Sequence, residues 1–246
     1  MTSPRLRTIA ITAAAAVAVT VTMGCGILSA AGNLANNISA IGDLADKINK
    51  SEQLTYQADY RLDDGSTVTV AQQPPDSADV SDKGRFISRG NVWYLCDKST
   101  GSWVCERTST EGATPGSAPL AAGMAGNGFI SAPMAVAVLT AAAIVPHAKV
   151  EQSSDTIAGQ KSTCAKVSNL EQAQQNETEK LKDFTVCITE SGVLARFSGT
   201  ATAGTKAKVE LTKYATTVDP ALFQPPAGAK INDVDQLTNT PGPTKS

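Results

Sequence analysis

Leu54-Thr55-Tyr56-Gln57-Ala58-Asp59-Tyr60-Arg61-Leu62 alternates apolar and polar side chains without a break. Successive side chains of a strand point to opposite faces. The stretch therefore predicts a half-buried strand with Leu54, Tyr56, Ala58, Tyr60 and Leu62 turned inward. Asp63-Asp64-Gly65 predicts a turn into a second strand from Ser66 to Ala71. Pro74-Pro75 stops the pairing, and a strand resumes at Arg85 to Ser88. Further strands are read at Gly192 to Ser198 and Ala207 to Tyr214. On the N-terminal side, Leu34, Ile38, Ile41, Leu44, Ala45 and Ile48 recur at the spacing of one helical face, with Asp43, Asp46 and Lys47 elsewhere. Strands outnumber helices, and short turns let neighbouring strands pair antiparallel. No internal repeat is visible.

The cysteines sharpen the strand map. Val92 to Cys96 and Trp103 to Glu106 are strand-like runs flanking Asp97-Lys98-Ser99-Thr100-Gly101-Ser102. That is a turn sequence whose glycine can take positive φ. Folding the hairpin puts Cys96 opposite Cys105. Lys161 to Val167 and Phe184 to Thr189 similarly flank a polar stretch from Asn169 to Asp183, bringing Cys164 near Cys187. Four cysteines allow three pairings. Crossed pairings would close longer loops, yet a disulfide needs Cα atoms within about 7 Å. The hairpins therefore predict Cys96–Cys105 and Cys164–Cys187. Chain entropy assigns roughly 2.7 kcal/mol to the first and roughly 3.4 kcal/mol to the second. No two cysteines lie within three residues, which excludes a CxxC redox or zinc motif.

The fifth cysteine, Cys25, has a different setting. Arg5 and Arg7 precede an uncharged run from Thr8 to Met23 that is rich in Ala, Val, Ile and Thr, the layout of an export signal. Thr22-Met23-Gly24-Cys25 resembles a bacterial lipoprotein cleavage box, in which the cysteine becomes the first mature residue and carries lipid. The alternative is an uncleaved membrane anchor, since no charge occurs between Arg7 and Asp43. The second half of that stretch contains Gly32, Asn33, Asn36 and Asn37, which suit hydrocarbon badly. The expectation is a signal peptide over residues 1–24 and a lipidated tether over residues 25–37. Export also agrees with disulfide formation. The expected location is the outer face of the cell membrane, anchored by lipid.

One later segment breaks the strand rhythm. No charged residue occurs between Glu111 and Lys149, although His147 lies inside. Gly112 to Gly128 reads as a loop rich in small residues. Ser131 can cap a helix with Pro133 in its first turn, and Met134 to Val145 is apolar apart from Thr140 until Pro146 stops it. About fourteen helical residues reach only ~20 Å, short of the ~30 Å hydrocarbon core. A helix apolar on every side must be covered on every side or face something other than water. Three roles are open: a core plug under a concave sheet, a lid over an acyl-chain cavity, or a membrane-surface contact. Met134, Val138, Leu139 and Ile144 are the candidate residues for lining a lipid cavity.

Composition excludes several classes. The chain has 246 residues, with 21 Lys plus Arg against 23 Asp plus Glu, a formal net charge of −2 and one His. With 41% hydrophobic but only 4% aromatic residues, it can build a core from small aliphatic side chains. Such a chain presents no basic field for nucleic acid. A single His excludes a multi-His metal site. No G-x-S-x-G, Walker, H-E-x-x-H or S-x-x-K motif is present. Gly123 to Gly128 has the wrong glycine order for a dinucleotide turn, and His147 is read as a helix-end residue. Asp63-Asp64 and Asp233 with Asp235 are read as turn and tail residues rather than calcium ligands. Lys206 and Lys208 are read as the solvated face of a strand. The sequence therefore predicts no catalytic residues, no metal and no cofactor.

The order of these parts, with the closing Val218-Asp219-Pro220-Ala221-Leu222-Phe223-Gln224-Pro225-Pro226-Ala227-Gly228, resembles lipoprotein carriers of the LolA-like superfamily. That superfamily includes LppX- and LprG-type lipoproteins of actinobacteria. The resemblance covers Leu34 to Gly228. It implies an α+β fold in which a curved antiparallel β half-barrel is closed by an N-terminal helix and a central apolar helix. It also implies one lipid-binding domain over residues 38–231 and a flexible C-terminal tail over residues 232–246. The implied role is to bind, present or transport lipids or lipoproteins in an apolar cavity. A non-enzymatic envelope sensor or protein-interaction module of the same fold is the other reading. Within the closing phrase, Phe223 can anchor the segment while Pro225 and Pro226 hold it extended.

Overall fold

The alternating stretch becomes strand β1, Tyr56–Leu62, in which Tyr56, Ala58, Tyr60 and Leu62 are buried and the residues between them are not. The computed structural model of the protein describes residue 39 and residues 41–98, 101–110, 129–143, 145, 148–170, 181–201, 204 and 206–235. Cys25, Ile144, His147 and the glycine-rich run from Gly112 to Gly128 lie outside the described residues, as do residues 1–38 and 236–246.

Two meanders extend from β1. On one side lie β2 (Thr67–Gln73), β3 (Asp76–Val80), β4 (Gly84–Arg89), β5 (Val92–Asp97) and β6 (Val104–Ser109). On the other lie β11 (Lys206–Ala215), β10 (Leu194–Ala201), β9 (Leu181–Thr189), β8 (Gln160–Ser168) and β7 (Lys149–Ile157). Neighbours within the meanders pair antiparallel, and β12 (Lys230–Asp233) adds to β6 in parallel. β12 enters the stretch assigned to the tail, since Asn232 and Asp233 pair with Glu106 and Arg107.

This architecture corrects the expected half-barrel closed by helices. The described residues form one open, mixed sheet of twelve strands whose edges, β12 and β7, stand at opposite ends of the strand order. Among the described residues two short helices, α1 over residues 41–51 and α2 over Ala132–Ala143, supply the helical cover. A helix of twelve residues is ~18 Å long, whereas twelve strands about 4.8 Å apart span roughly 50 Å. Helices of that length cover part of one face and cannot close the sheet. Period-2 alternation identifies strands, but it does not encode whether the two edge strands meet.

The inner face holds the main core. α1 contributes Ile41, Leu44 and Ile48, and α2 contributes Ala135, Leu139 and Ala142, each set at helical spacing. Their partners in the same buried cluster include Val167, Phe184, Val186, Phe197, Val209 and Tyr60. Ser131 caps α2: its hydroxyl accepts from the Met134 N–H at 3.4 Å and its carbonyl from the Ala135 N–H at 2.9 Å. α1 is held by the turn after β9. Gly192 has φ +89°, and a Cβ there would stand 1.9 Å from the Lys47 carbonyl oxygen, so only glycine fits.

The outer face of β2–β5 is covered by the closing phrase of the chain. Phe223 is buried against Ala71, Ala78 and Ile87, with Val218 and Leu222 beside it. Pro220–Phe223 is a single 3-10 turn whose Asp219 carboxylate accepts from the Ala221 N–H at 2.9 Å. Both disulfides join directly opposed residues of neighbouring strands. Cys96 pairs with Cys105 across β5 and β6 at a Cα separation of 3.9 Å, and Cys164 with Cys187 across β8 and β9 at 4.0 Å.

Candidate functional site

Register decides what faces what. Residues directly opposite in an antiparallel pair share a face. Ala58 stands opposite Val70, Val70 opposite Asp79, and Asp79 opposite Phe86. This row lies on the inner face, and it places a carboxylic acid between two apolar residues. The adjacent row carries Tyr56, Gln72 and Ser77. Ala71, Ala78 and Ile87 point the other way, toward Phe223.

Above these rows is a cavity of about 140 Å³. Its floor is Val70, Asp79, Phe86, Tyr56 and Tyr60. One wall comes from the end of α1 through Ile48, Ser51 and Glu52. The opposite wall comes from Phe129, Ser131, Ala132 and Pro133, where the chain enters α2. Gln72 fixes the first wall, because its amide donates to the carbonyls of Ser51 at 2.7 Å and Leu54 at 3.1 Å. Tyr60 fixes the second. Its ring lies 5.2 Å from that of Phe129, and its hydroxyl donates to the Leu194 carbonyl at 2.9 Å. Tyr56 packs on Tyr214, with ring centroids 6.1 Å apart.

Asp79 is the chemically distinctive group. No described residue donates a hydrogen bond to its carboxyl or pairs with it. Burial alone pushes the carboxyl up to about 7. Burial, followed by the Asp79 charge, pushes the Tyr56 hydroxyl well above its ordinary range, and burial dominates for Tyr60 too. The residue keeps partial exposure along the cavity wall. The site can therefore hold an apolar group, with the Asp79 carboxyl inside and the Glu52 carboxylate at its exposed rim. No cluster of His, Cys, Asp and Glu able to hold a metal occurs among the described residues.

The residues nominated from sequence fall elsewhere. Leu139 is fully buried in the main core, and Val138 packs partly buried against that core. Met134 is half-buried, and none of the three lines the cavity. Ile144 lies outside the described residues. Helix α2 contributes to the cavity through its first residues, Ala132 and Pro133, rather than through its length. Asp64 is a turn residue, accepting from the Ser66 N–H at 2.9 Å, and Asp233 pairs with Arg107 at 2.7 Å. Lys206 and Lys208 are exposed, and Lys208 reaches Glu210 at 3.2 Å.

Sequence reading misses Asp79 because it misses β3. Asp76-Ser77-Ala78-Asp79-Val80 is poor in strand-forming residues and directly follows two prolines. A usable signal is present: Pro74-Pro75 occupies the turn itself, and Gln73 pairs straight across to Asp76.

No family model matches the chain. No curated protein matches it either. It is similar to the crystal structure of an uncharacterized conserved protein from Thermus thermophilus, at 10% identity and a TM-score of 0.43. That similarity covers 78% of this chain and 98% of that one.

Proposed function

We propose that this protein is a non-enzymatic lipoprotein, anchored through Cys25 at the outer face of the cell membrane, that holds an apolar group of a lipid-like ligand in the cavity over β1–β4. The observation that carries this reading is the cavity itself. It is a recess open to solvent on one side, and Tyr56, Val70, Phe86 and Phe129 give it an apolar lining. Its volume compares with the ~150 Å³ apolar cavity known to admit benzene. It therefore takes one short hydrocarbon segment rather than the several chains of a whole lipid. The resemblance to LolA-like carriers supplies the ligand class, and the lipobox-like Thr22-Met23-Gly24-Cys25 supplies the anchor. A second reading, an envelope protein-interaction module, is favoured by α2, where Pro133, Ala137 and Ala141 are exposed and no charged residue occurs.

Organic-solvent extraction of the purified protein, followed by mass spectrometry, tests the proposal. The expected result is acyl mass on the Cys25 peptide and a co-purifying apolar compound that is lost when Val70→Phe fills the cavity. A bare Cys25 peptide overturns the anchor. An empty extract, with no uptake of added pentanol, overturns the binding role and leaves the interaction module.

A further inference from the structure

We propose that the cavity over β1–β4 is a site for an ammonium group on a small apolar skeleton, with Asp79 as counter-ion and the rings of Tyr56, Phe86 and Phe129 as walls. This rests on the reading of the cavity as a ligand site, and it names the ligand's chemistry.

The lining residues carry one sign of charge. Asp79 lies inside and Glu52 on the exposed rim, and no Lys, Arg or His is among them. An anionic ligand would meet both carboxylates. The one opposing feature, the N-terminal turn of α2, is largely engaged: the Ser131 hydroxyl accepts from the Met134 N–H, its carbonyl from the Ala135 N–H, and Pro133 has no N–H to offer. The Asp79 carboxyl is half-buried, lines the cavity and has no described partner, and a cation would supply one through charge-assisted hydrogen bonds. Aromatic faces add attraction specific to cations. Tyr56, Tyr60, Phe86 and Phe129 together surround a space of about 140 Å³, which suits an ammonium bearing a few carbons and not a long chain.

The charge state of Asp79 gives the site a pH signature. The groups facing it are few: Tyr56 and Tyr60 from β1, Val70 from β2, Phe86 from β4, Glu52 at the end of α1, and the uncharged residues 129–133. Tyr214 stands behind Tyr56. Both lining tyrosines stay protonated at neutral pH, so Asp79 is the group whose charge changes near pH 7. Cation affinity should rise with pH up to about 7 and then level off.

Tert-butylammonium, tert-butanol and pivalate have the same shape and carry positive, zero and negative charge. Each is titrated into the isotope-labelled full chain at pH 8 and pH 6 while amide shifts are followed. The expected result is shifts at Tyr56, Asp79 and Phe129, with the cation bound at least about tenfold more tightly than the alcohol at pH 8. That advantage should shrink by about tenfold at pH 6 and vanish in Asp79→Asn. Equal binding of cation and alcohol, or tighter binding of pivalate, overturns the ammonium assignment and leaves the apolar site standing. No shift at these amides with any of the three probes overturns both. The anion and pH arms use the wild-type chain, so the test survives a poorly folding variant.

Discussion

On β8 and β9 the inward residues Val167, Phe184 and Val186 share one buried cluster with Ala135, Leu139 and Ala142 of α2. On β2, β3 and β4 the inward residues Val70, Asp79 and Phe86 border a cavity. The two halves have the same construction, an antiparallel meander with one cross-strand disulfide each. They differ in what lies above them. α2 packs on β8 and β9, whereas among the described residues the cavity over β2–β4 is flanked by the last residues of α1 and the first residues of α2. A short helix fills one part of a wide sheet, and over β2–β4 the described residues leave a cavity. The polar residues follow the same division: the floor of the cavity contains Asp79 and Ser77, whereas Val167, Phe184 and Val186 under α2 are all apolar.

Substitutions in the filled half should have the largest effect. Leu139→Ala removes a fully buried side chain and should cost about 2–5 kcal/mol. Met134→Ala, on the half-buried side of the same helix, should cost under about 1 kcal/mol. Urea midpoints compare the two. Equal costs would mean that α2 is not docked through Leu139, and the contrast between the halves would fail.

The disulfides sharpen the comparison at the next level. Replacing Cys164 and Cys187 by Ser should lower stability by roughly 3.4 kcal/mol, and replacing Cys96 and Cys105 by roughly 2.7 kcal/mol, because the first pair closes the longer loop. Both pairs lie in the outward rows, Cys187 opposite Arg196 and Cys96 opposite Arg85. Neither replacement should therefore change binding in the cavity. Loss of ligand uptake in the folded Cys96/Cys105 variant would show that the cavity depends on the outer face.

Asp79→Asn should act with the opposite sign, and its effect should depend on pH. The folded carboxyl titrates near 7, above the ordinary ~3.9 of an unfolded Asp. Stability due to this group is complete below about pH 4 and is lost as pH rises toward 7. The variant should therefore match the wild type in acid and exceed it by about 2 kcal/mol at pH 8. That is about half of what a three-unit shift gives in a water-free site. Chemical denaturation at both pH values measures this. A variant no more stable than wild type at pH 8 would mean that the carboxyl is solvated.

Sequence reading recovers the parts that local chemistry encodes. β1 follows from strict alternation. Both disulfides follow from hairpins, and the α2 boundary from Ser131 and Pro133. Phe223 is legible as an anchor because one large apolar residue stands among prolines. The global arrangement is not legible, because whether β7 meets β12 depends on twist and on what covers the faces, and no residue pattern states it. The site escapes for a narrower reason. An apolar helix draws attention to itself, yet Leu139 is ordinary core. The functional candidate sits on β3, a polar strand whose inward Asp79 becomes visible only when Val70 and Phe86 are placed on either side of it.

The central claim is that the inner face over β1–β4 takes an apolar ligand while the face under α2 does not. Titrating pentanol, a chain short enough for the cavity, into the isotope-labelled protein and following backbone amide shifts tests it most directly. The predicted result is saturable shifts at Tyr56, Val70, Asp79, Phe86 and Phe129, with Ala135, Leu139 and Ala142 unmoved. Shifts confined to the exposed side of α2, or no saturable shifts at all, would contradict it.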